Sequence, residues 1–405
     1  MKNRFILPLL LALLLCASPR ATAQNLSSAN LAWKYQPDAP LQLAWELYQP
    51  QGQLPQLVIQ LQQSQPLRTR SLTGRVHYLD SLSSPRPMHL APLFEGVPKG
   101  EAATTVRHAI DTSRGAQWLV LELQHTSDSL RTFWYPLHLR DLLHFGAAPF
   151  YLQQQNAPTF TPFLPVRETV VPRLEAQGVD SLFLFLYQHD FGPAPSPMTV
   201  ASTAASTKMD ISQRRRIPAG QPLELQAEGF YFLQADTLSL QGKGVRVENR
   251  FFPRTRTLEA FAGPIRYLST NEEWAELERE GFSKQAIDRY WLRMTQSEDR
   301  ARRIIRSYYR RVTAANRLFT SFKEGWKTDQ GMIYVLYGPP DVVQARYDGE
   351  LWIYRSKGDI PELSFTFVRT VNPFAPNYHQ LVRNKDYART HFQIVSRWRR
   401  GQNLP

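Results

Sequence analysis

Asp329 and Asp341 are the two carboxylates in this sequence whose setting invites a chemical reading. They bracket Gly331-Met332-Ile333-Tyr334-Val335-Leu336-Tyr337-Gly338-Pro339-Pro340, within a stretch dense in Gly, Pro and aromatic residues. Two carboxylates do general acid/base work on a glycosidic bond only when their carboxyl groups lie within about 10 Å. Gly331–Tyr337 reads as a strand, because Met332, Tyr334 and Leu336 alternate with Ile333, Val335 and Tyr337. Both faces are apolar, as in a strand covered on both sides. Pro339 and Pro340 lack the N–H that would continue a ladder. An extended segment of this length spans roughly 30 Å. The spacing therefore predicts two turn-tying acids rather than a catalytic pair, with Asp329 in the turn Thr328–Gly331, and no catalytic residue is assigned.

Other chemistries leave weaker traces. The nine histidines are scattered, no His-Glu-x-x-His occurs, and His138 and His144 stand six apart. That is not a metal-ligand spacing, so neither a metal nor a cofactor is predicted. There is no Gly-x-Ser-x-Gly elbow. Gly242-Lys243-Gly244 reads as a tight turn between strands rather than a phosphate cradle. A Ser-His-Asp site assembled from distant positions stays open. Trp326, Tyr337, Trp352 and Tyr354 concentrate aromatic surface in one region, where they fit either core packing or a groove for a glycan or peptide. In the groove reading Gly338–Asp341 forms the rim, and the candidate binding residues are Trp326, Asp329, Tyr337, Asp341 and Trp352.

These residues need elements to hold them. Thr270-Asn271-Glu272-Glu273 predicts a capping box, with Gly281 as the stop, and Ser283 caps a second short helix. Ser297 caps a long helix whose Ala301, Ile304, Ile305, Tyr308, Val312, Ala315, Phe319 and Phe322 form one apolar stripe. Arg300, Arg302, Arg303, Arg306, Arg310 and Arg311 fill its other face, as on a solvated surface helix or a site for phosphate or lipid headgroups. The stripe is expected to cover a sheet made by 331–337, 350–355, 362–369 and 378–383. Upstream the chain reads as β-structure: Leu57, Ile59 and Leu61 alternate with Val58, Gln60 and Gln62, and Leu182, Leu184 and Leu186 with Phe183, Phe185 and Tyr187. Gly192–Thr207, rich in Pro, Ser, Ala and Thr, reads as a mobile loop. The expected fold class is multidomain: two all-β sandwich-like modules followed by a C-terminal α+β domain, with helices on a mostly antiparallel sheet. The expected division is 1–23 as a signal peptide, 24–146 and 147–256 as the β modules, and 257–405 as a helical connector plus the α+β domain.

Gly325, Trp326, Thr328 and Asp329, followed by Tyr337-Gly338-Pro339-Pro340-Asp341, resemble the signature of the GWxTD domain family, found in envelope proteins of Bacteroidota and their relatives. The preceding helix is similar in Arg311-Val312, Ala315-Asn316 and Phe319. Glu350, Trp352 and Tyr354 fit a Glu-x-Trp-x-Tyr strand, and Phe365 and Phe367-Val368 fit another. Gln330 departs from the basic residue expected there, and Arg369 from the Asp common after the Phe-Val pair. The resemblance covers roughly the last third of the chain and implies no established activity.

Lys2 and Arg4, the apolar run Phe5–Cys16 and Ala21-Thr22-Ala23 before Gln24 make a cleavable secretory signal. Leu15 stands where a lipoprotein signal wants a small residue, which disfavours acylation of Cys16. Cys16 is the single cysteine, so cleavage removes disulfide and thiolate chemistry. It also removes Lys2, Arg4 and Arg20 and no acid, lowering the formal charge from +13 to +10. A basic exported protein meets anionic lipid and acidic glycan rather than nucleic acid. The expectation is a periplasmic or outer-membrane-associated envelope protein that docks a protein or glycan through its C-terminal domain, more a binding module than an enzyme. A peripheral contact with an anionic membrane surface is a further partner that the charge admits. The competing reading is a hydrolase or transferase acting on envelope polymer near Asp329 or Asp341.

Overall fold

The computed structural model describes residues 26–63, 72–94, 103–125, 128–175, 177–199, 209–370 and 372–402. The expected signal segment 1–23, with Cys16, lies outside them, as do residues 200–207 of the Pro/Ser/Thr-rich loop. Among the described residues no helix is long and apolar enough to cross a membrane.

The first β unit pairs Leu41–Tyr48, Gln56–Gln63 and Ala103–Ala109 in one sheet and His89–Phe94, Leu72–Leu79, Trp118–His125 and Asp128–His138 in another. Alternation sets its faces: Leu57, Ile59 and Leu61 point into a core with Val76, Leu119 and Leu121, while Gln60 and Gln62 point away. The second unit packs two sheets around Phe150, Leu182, Leu184, Leu186, Tyr231 and Val245. Its larger sheet has the order 163–165, 243–248, 229–234, 181–187, 213–218, and only the first pair is parallel. Gly242-Lys243-Gly244 is not a turn. Lys243 opens the strand Lys243–Glu248, and its ammonium is buried against Glu46 and the Leu47 and Gly146 carbonyls. That contact joins the two β units.

Among the described residues seven α-helices are numbered along the chain: α1 (Leu139–Gly146) belongs to the β region, and the C-terminal unit is built on the other six, α2 (Leu258–Ala262), α3 (Asn271–Arg279), α4 (Lys284–Thr295), α5 (Glu298–Phe319), α6 (Asp329–Tyr337) and α7 (Tyr387–Arg400). The capping box is present: Thr270 Oγ1 accepts from Glu273 N–H at 3.2 Å and Glu273 Oε2 accepts from Thr270 N–H at 2.9 Å. Thr270→Ala is expected to lower stability by about 1 kcal/mol, read as a small shift of the urea-unfolding midpoint. The α5 stripe is buried as its spacing predicts, through Ala301, Ile304, Tyr308, Val312, Ala315 and Phe319. The basic tail after Tyr387 is helix α7, whose Trp398 is buried and donates its indole N–H to the Leu336 carbonyl at 3.0 Å.

The predicted strand 331–337 is helix α6. Thr328 caps it, its Oγ1 accepting from Gly331 N–H at 2.9 Å. All nine residues of α6 are buried, so no polar face exists to show a helical period, and apolar residues all round fit a covered strand equally well. The helix packs between α5 and a four-stranded antiparallel sheet of order 342–346, 349–354, 363–369, 379–381. Val342–Arg346 takes the place in that sheet expected for 331–337. A helix of nine residues rises about 13 Å, so Asp329 and Asp341 are much closer along the chain axis than an extended strand would set them.

The chain's first described residues are also part of this unit's core. Leu31 N–H donates to the Val343 carbonyl at 2.7 Å, and Val343 N–H donates to Asn30 Oδ1 at 3.0 Å. Tyr35 lies against Trp352, with ring centroids 4.8 Å apart. Reading in chain order places residues 26–35 with the first β module; Leu26, Ala29, Leu31, Ala32 and Tyr35 pack in the core of the last, while Trp33 packs against the first.

Candidate binding cleft

The Gly325–Asp329 motif builds the C-terminal fold. Gly325 sits where a Cβ would meet the Ala315 carbonyl oxygen at 2.1 Å. Its N–H donates to Thr320 Oγ1 at 3.0 Å, and Trp326 N–H donates to Asn316 Oδ1 at 3.1 Å. The Trp326 ring is buried and meets Tyr267 edge-on, while Tyr267 Oη donates to the Trp326 carbonyl at 2.9 Å. Asp329 is buried, with both oxygens engaged. Oδ2 accepts from Leu381 N–H at 2.8 Å and from Arg383 Nη1 at 3.2 Å, and Oδ1 faces Arg383 Nη2. This bidentate fork ties the start of α6 to the last strand of the sheet.

The other candidates are also packed or bonded within the fold, though the buried Tyr337 hydroxyl has no hydrogen-bond partner among the described residues. Tyr337 is buried between Tyr354 and Phe365, and burial pushes its phenol up. Trp352 is fully buried, and its indole N–H donates to Glu350 Oε2 at 2.9 Å. Asp341 is half-buried; its Oδ2 accepts from Arg355 N–H at 2.9 Å and its Oδ1 lies 3.3 Å from Lys357 Nζ. Trp326, Asp329, Tyr337, Asp341 and Trp352 thus hold elements together and do not converge on one surface.

A different region is open. A cleft of 1630 Å³ lies where the two β units, the first described residues and the C-terminal unit meet, and none of those five residues lines it. Glu350 is buried along its wall. Its carboxylate takes hydrogen bonds from Lys34 Nζ at 2.8 Å, Tyr35 Oη at 2.6 Å and the Trp352 indole. Burial alone would raise the Glu350 carboxyl; Lys34, His379 and the bonds from Lys34 and Tyr35 outweigh it and hold it at about 2. Burial pulls the Lys34 ammonium down, and Glu350 and Tyr135 overcome that and leave it raised. Beside this cluster Asp141 Oδ2 receives Arg369 at 2.8 Å and His138 Nδ1 at 3.0 Å. The third acid of the cleft, Glu46, is paired with Lys243.

All three acids lining the cleft therefore have a cation. The reverse is not true. Arg306, Arg310 and Arg317 project from α5 into the cleft, joined by Arg254 from the segment after the second β unit. All four are exposed, and among the described residues their guanidinium groups make no hydrogen bond or ion pair. Positions 306, 310 and 317 follow the four- and seven-residue steps of one helix face. Arg311, one step round, turns inward instead: it donates to the Leu336 carbonyl at 3.1 Å and lies over Trp398, and burial lowers it to about 10. Gln42, Gln60 and Gln62 from the first β unit line the same cleft. The arginine-rich helix was legible in the sequence; that part of its polar face looks into a cleft walled by other units was not.

No metal-binding group of three or more His, Asp, Glu or Cys side chains occurs among the described residues. Residues 229–400 match the family model of the GWxTD domain, a span that begins inside the second β unit, at its strand Gly229–Gln234. No curated protein matches the chain. Among solved structures, the crystal structure of red sea bream transglutaminase aligns at 10% identity over 52% of this chain and 32% of that one, with a TM-score of 0.20. The chain thus spans about a third of that structure's length, and a likeness of this size carries no argument about fold or activity.

Proposed function

The chain is a GWxTD domain-containing protein, and from that premise we propose that it is an exported cell-envelope protein that binds a polyanionic partner without catalysis, in the cleft between its units. The reading rests on one observation: among the described residues Arg254, Arg306, Arg310 and Arg317 line an open cleft with no carboxylate partner, while the three acids that line it are each paired. Unpaired guanidinium groups on one face repel one another unless an anion lies between them. Export is supported by the basic, apolar and Ala-x-Ala regions of Met1–Ala23. The engaged oxygens of Asp329 favour binding over hydrolysis, since a general acid or base needs a free carboxyl oxygen facing its substrate.

Inorganic polyphosphate is a suitable generic probe. Calorimetry is expected to show binding that weakens steeply with added salt. The triple variant Arg306→Glu/Arg310→Glu/Arg317→Glu is expected to bind at least tenfold more weakly, with its unfolding midpoint near that of the parent because these side chains are exposed and make no hydrogen bond or ion pair among the described residues. Undiminished binding by a folded triple variant would place the anion site elsewhere.

A further inference from the structure

We infer that the partner in this cleft is an acidic polysaccharide, a chain of hydroxyl-bearing sugars carrying carboxylates. The inference rests on the polyanion reading and specifies its ligand. The arginines account for the charge; the glutamines of the first β unit decide the class. Leu41–Tyr48 and Gln56–Gln63 pair antiparallel with Gln42 opposite Gln62 and Ala44 opposite Gln60. Because Leu57, Ile59 and Leu61 point into the core of the first unit, period-two alternation turns Gln60, Gln62 and Gln42 outward together. All three line the cleft. Their side-chain amides make no hydrogen bond among the described residues.

An amide offers one acceptor oxygen and two N–H donors. A sugar hydroxyl also both donates and accepts, so a row of hydroxyls satisfies such a wall at every position. A carboxylate or a phosphate oxygen only accepts, and leaves the glutamine oxygens to water. Half-buried rings of Tyr135, Phe160 and Phe163 line the same cleft and offer apolar surface to the C–H face of a sugar ring. The arginine stripe supplies the complementary charge. Arg306 and Arg310 are one turn apart, about 6 Å along the axis, and Arg317 lies about 10 Å further. Charges set this far apart suit a polymer that carries an acid on each sugar or on alternate sugars. The cleft volume of 1630 Å³ exceeds the roughly 300–1,000 Å³ of a small-molecule pocket, so several sugars fit.

The test compares four probes on the full-length exported chain: polygalacturonate, neutral dextran, poly-L-glutamate and phosphatidylglycerol vesicles, with polyphosphate as the reference. Polygalacturonate is expected to bind and dextran not. Gln60→Ala/Gln62→Ala is expected to weaken polygalacturonate at least fivefold while leaving polyphosphate within twofold. Gln42→Ala alone gives a milder version of the same split and guards against misfolding of the double variant. If poly-L-glutamate or the vesicles bind as tightly as polygalacturonate, or if the glutamine variants bind polygalacturonate like the parent, the sugar assignment falls and the polyanion reading stands. If no polyanion binds, both fall.

Discussion

Gly331→Ala is expected to destabilise the C-terminal unit by about 4 kcal/mol, at the upper end of single-substitution effects. A Cβ at this position would lie 1.8 Å from the Gly325 carbonyl oxygen and 3.0 Å from Thr328 Oγ1. Neither neighbour can move cheaply. The Gly325 carbonyl accepts from Thr328 Oγ1 at 2.7 Å, and Gly325 itself is pressed against the α5 backbone at Ala315. Thr328 caps α6 through the Gly331 N–H. The added methyl therefore displaces the cap, the start of α6 and the α5–α6 contact together. Gly192→Ala is the control: nothing lies within 4 Å of its Cβ position, and the change is expected to stay within about 0.5 kcal/mol. Urea unfolding with hydrogen exchange across 325–337 measures both. Parent-like protection in Gly331→Ala would mean that α6 does not seat against Gly325 as described.

Glu350→Ala is expected to cost about 3–5 kcal/mol, because it leaves the Lys34 ammonium in the wall of the unit without its carboxylate and removes the acceptor of Tyr35 and Trp352. The loss should appear first as release of residues 26–36, read by hydrogen exchange, since Lys34 and Tyr35 anchor that segment. Replacing both charged partners with apolar residues, Lys34→Met/Glu350→Leu, is expected to recover only the part of the loss that comes from the uncompensated ammonium, because Tyr35 and Trp352 still lack their acceptor. The pH dependence follows from the same pair. The folded Glu350 carboxyl at about 2 lies below its ordinary value of 4.5, so its contribution is present above pH 4.5 and is lost as pH falls towards 2. Lys34 is raised above 10.5; its contribution is present below pH 10.5 and is lost as pH rises through the folded value. The parent should therefore lose stability between pH 4.5 and 2 more steeply than the double variant. Identical acid limbs would exclude a buried, charged Glu350.

The roles of the motif residues were only partly legible. Gly325, Trp326, Thr328 and Asp329 mark the family in the sequence, and residues 229–400 match its model. Their tasks, however, depend on partners far along the chain: Ala315 and Asn316 for Gly325 and Trp326, Leu381 and Arg383 for Asp329. A turn-tying role for Asp329 was anticipated, but its carboxylate reaches the final strand of the sheet as well as opening a helix.

The sequence by itself determined the elements whose pattern is local. Ser297 and the three- and four-residue apolar steps specify α5, Thr270 and Glu273 specify the start of α3, alternation specifies the strands at 57–61 and 182–187, and the family resemblance marks those at 350–354 and 363–369. In α3 and α5 one face is wet and the cap is made by near neighbours, so the period survives in the residue types; the strand at 182–187 is apolar on both faces, and its enrichment in Leu and Phe rather than a wet face marked it. The tertiary structure alone decided α6, the docking of residues 26–36 and the cleft. Burial on all sides of α6 erased its period, and only the groove between α5 and the sheet selects helix over strand. Leu31 meets Val343, and Lys34 meets Glu350, across some three hundred residues; no local spacing encodes such a contact. The cleft joins glutamines of one unit to arginines of another, and their proximity exists only after the units have packed.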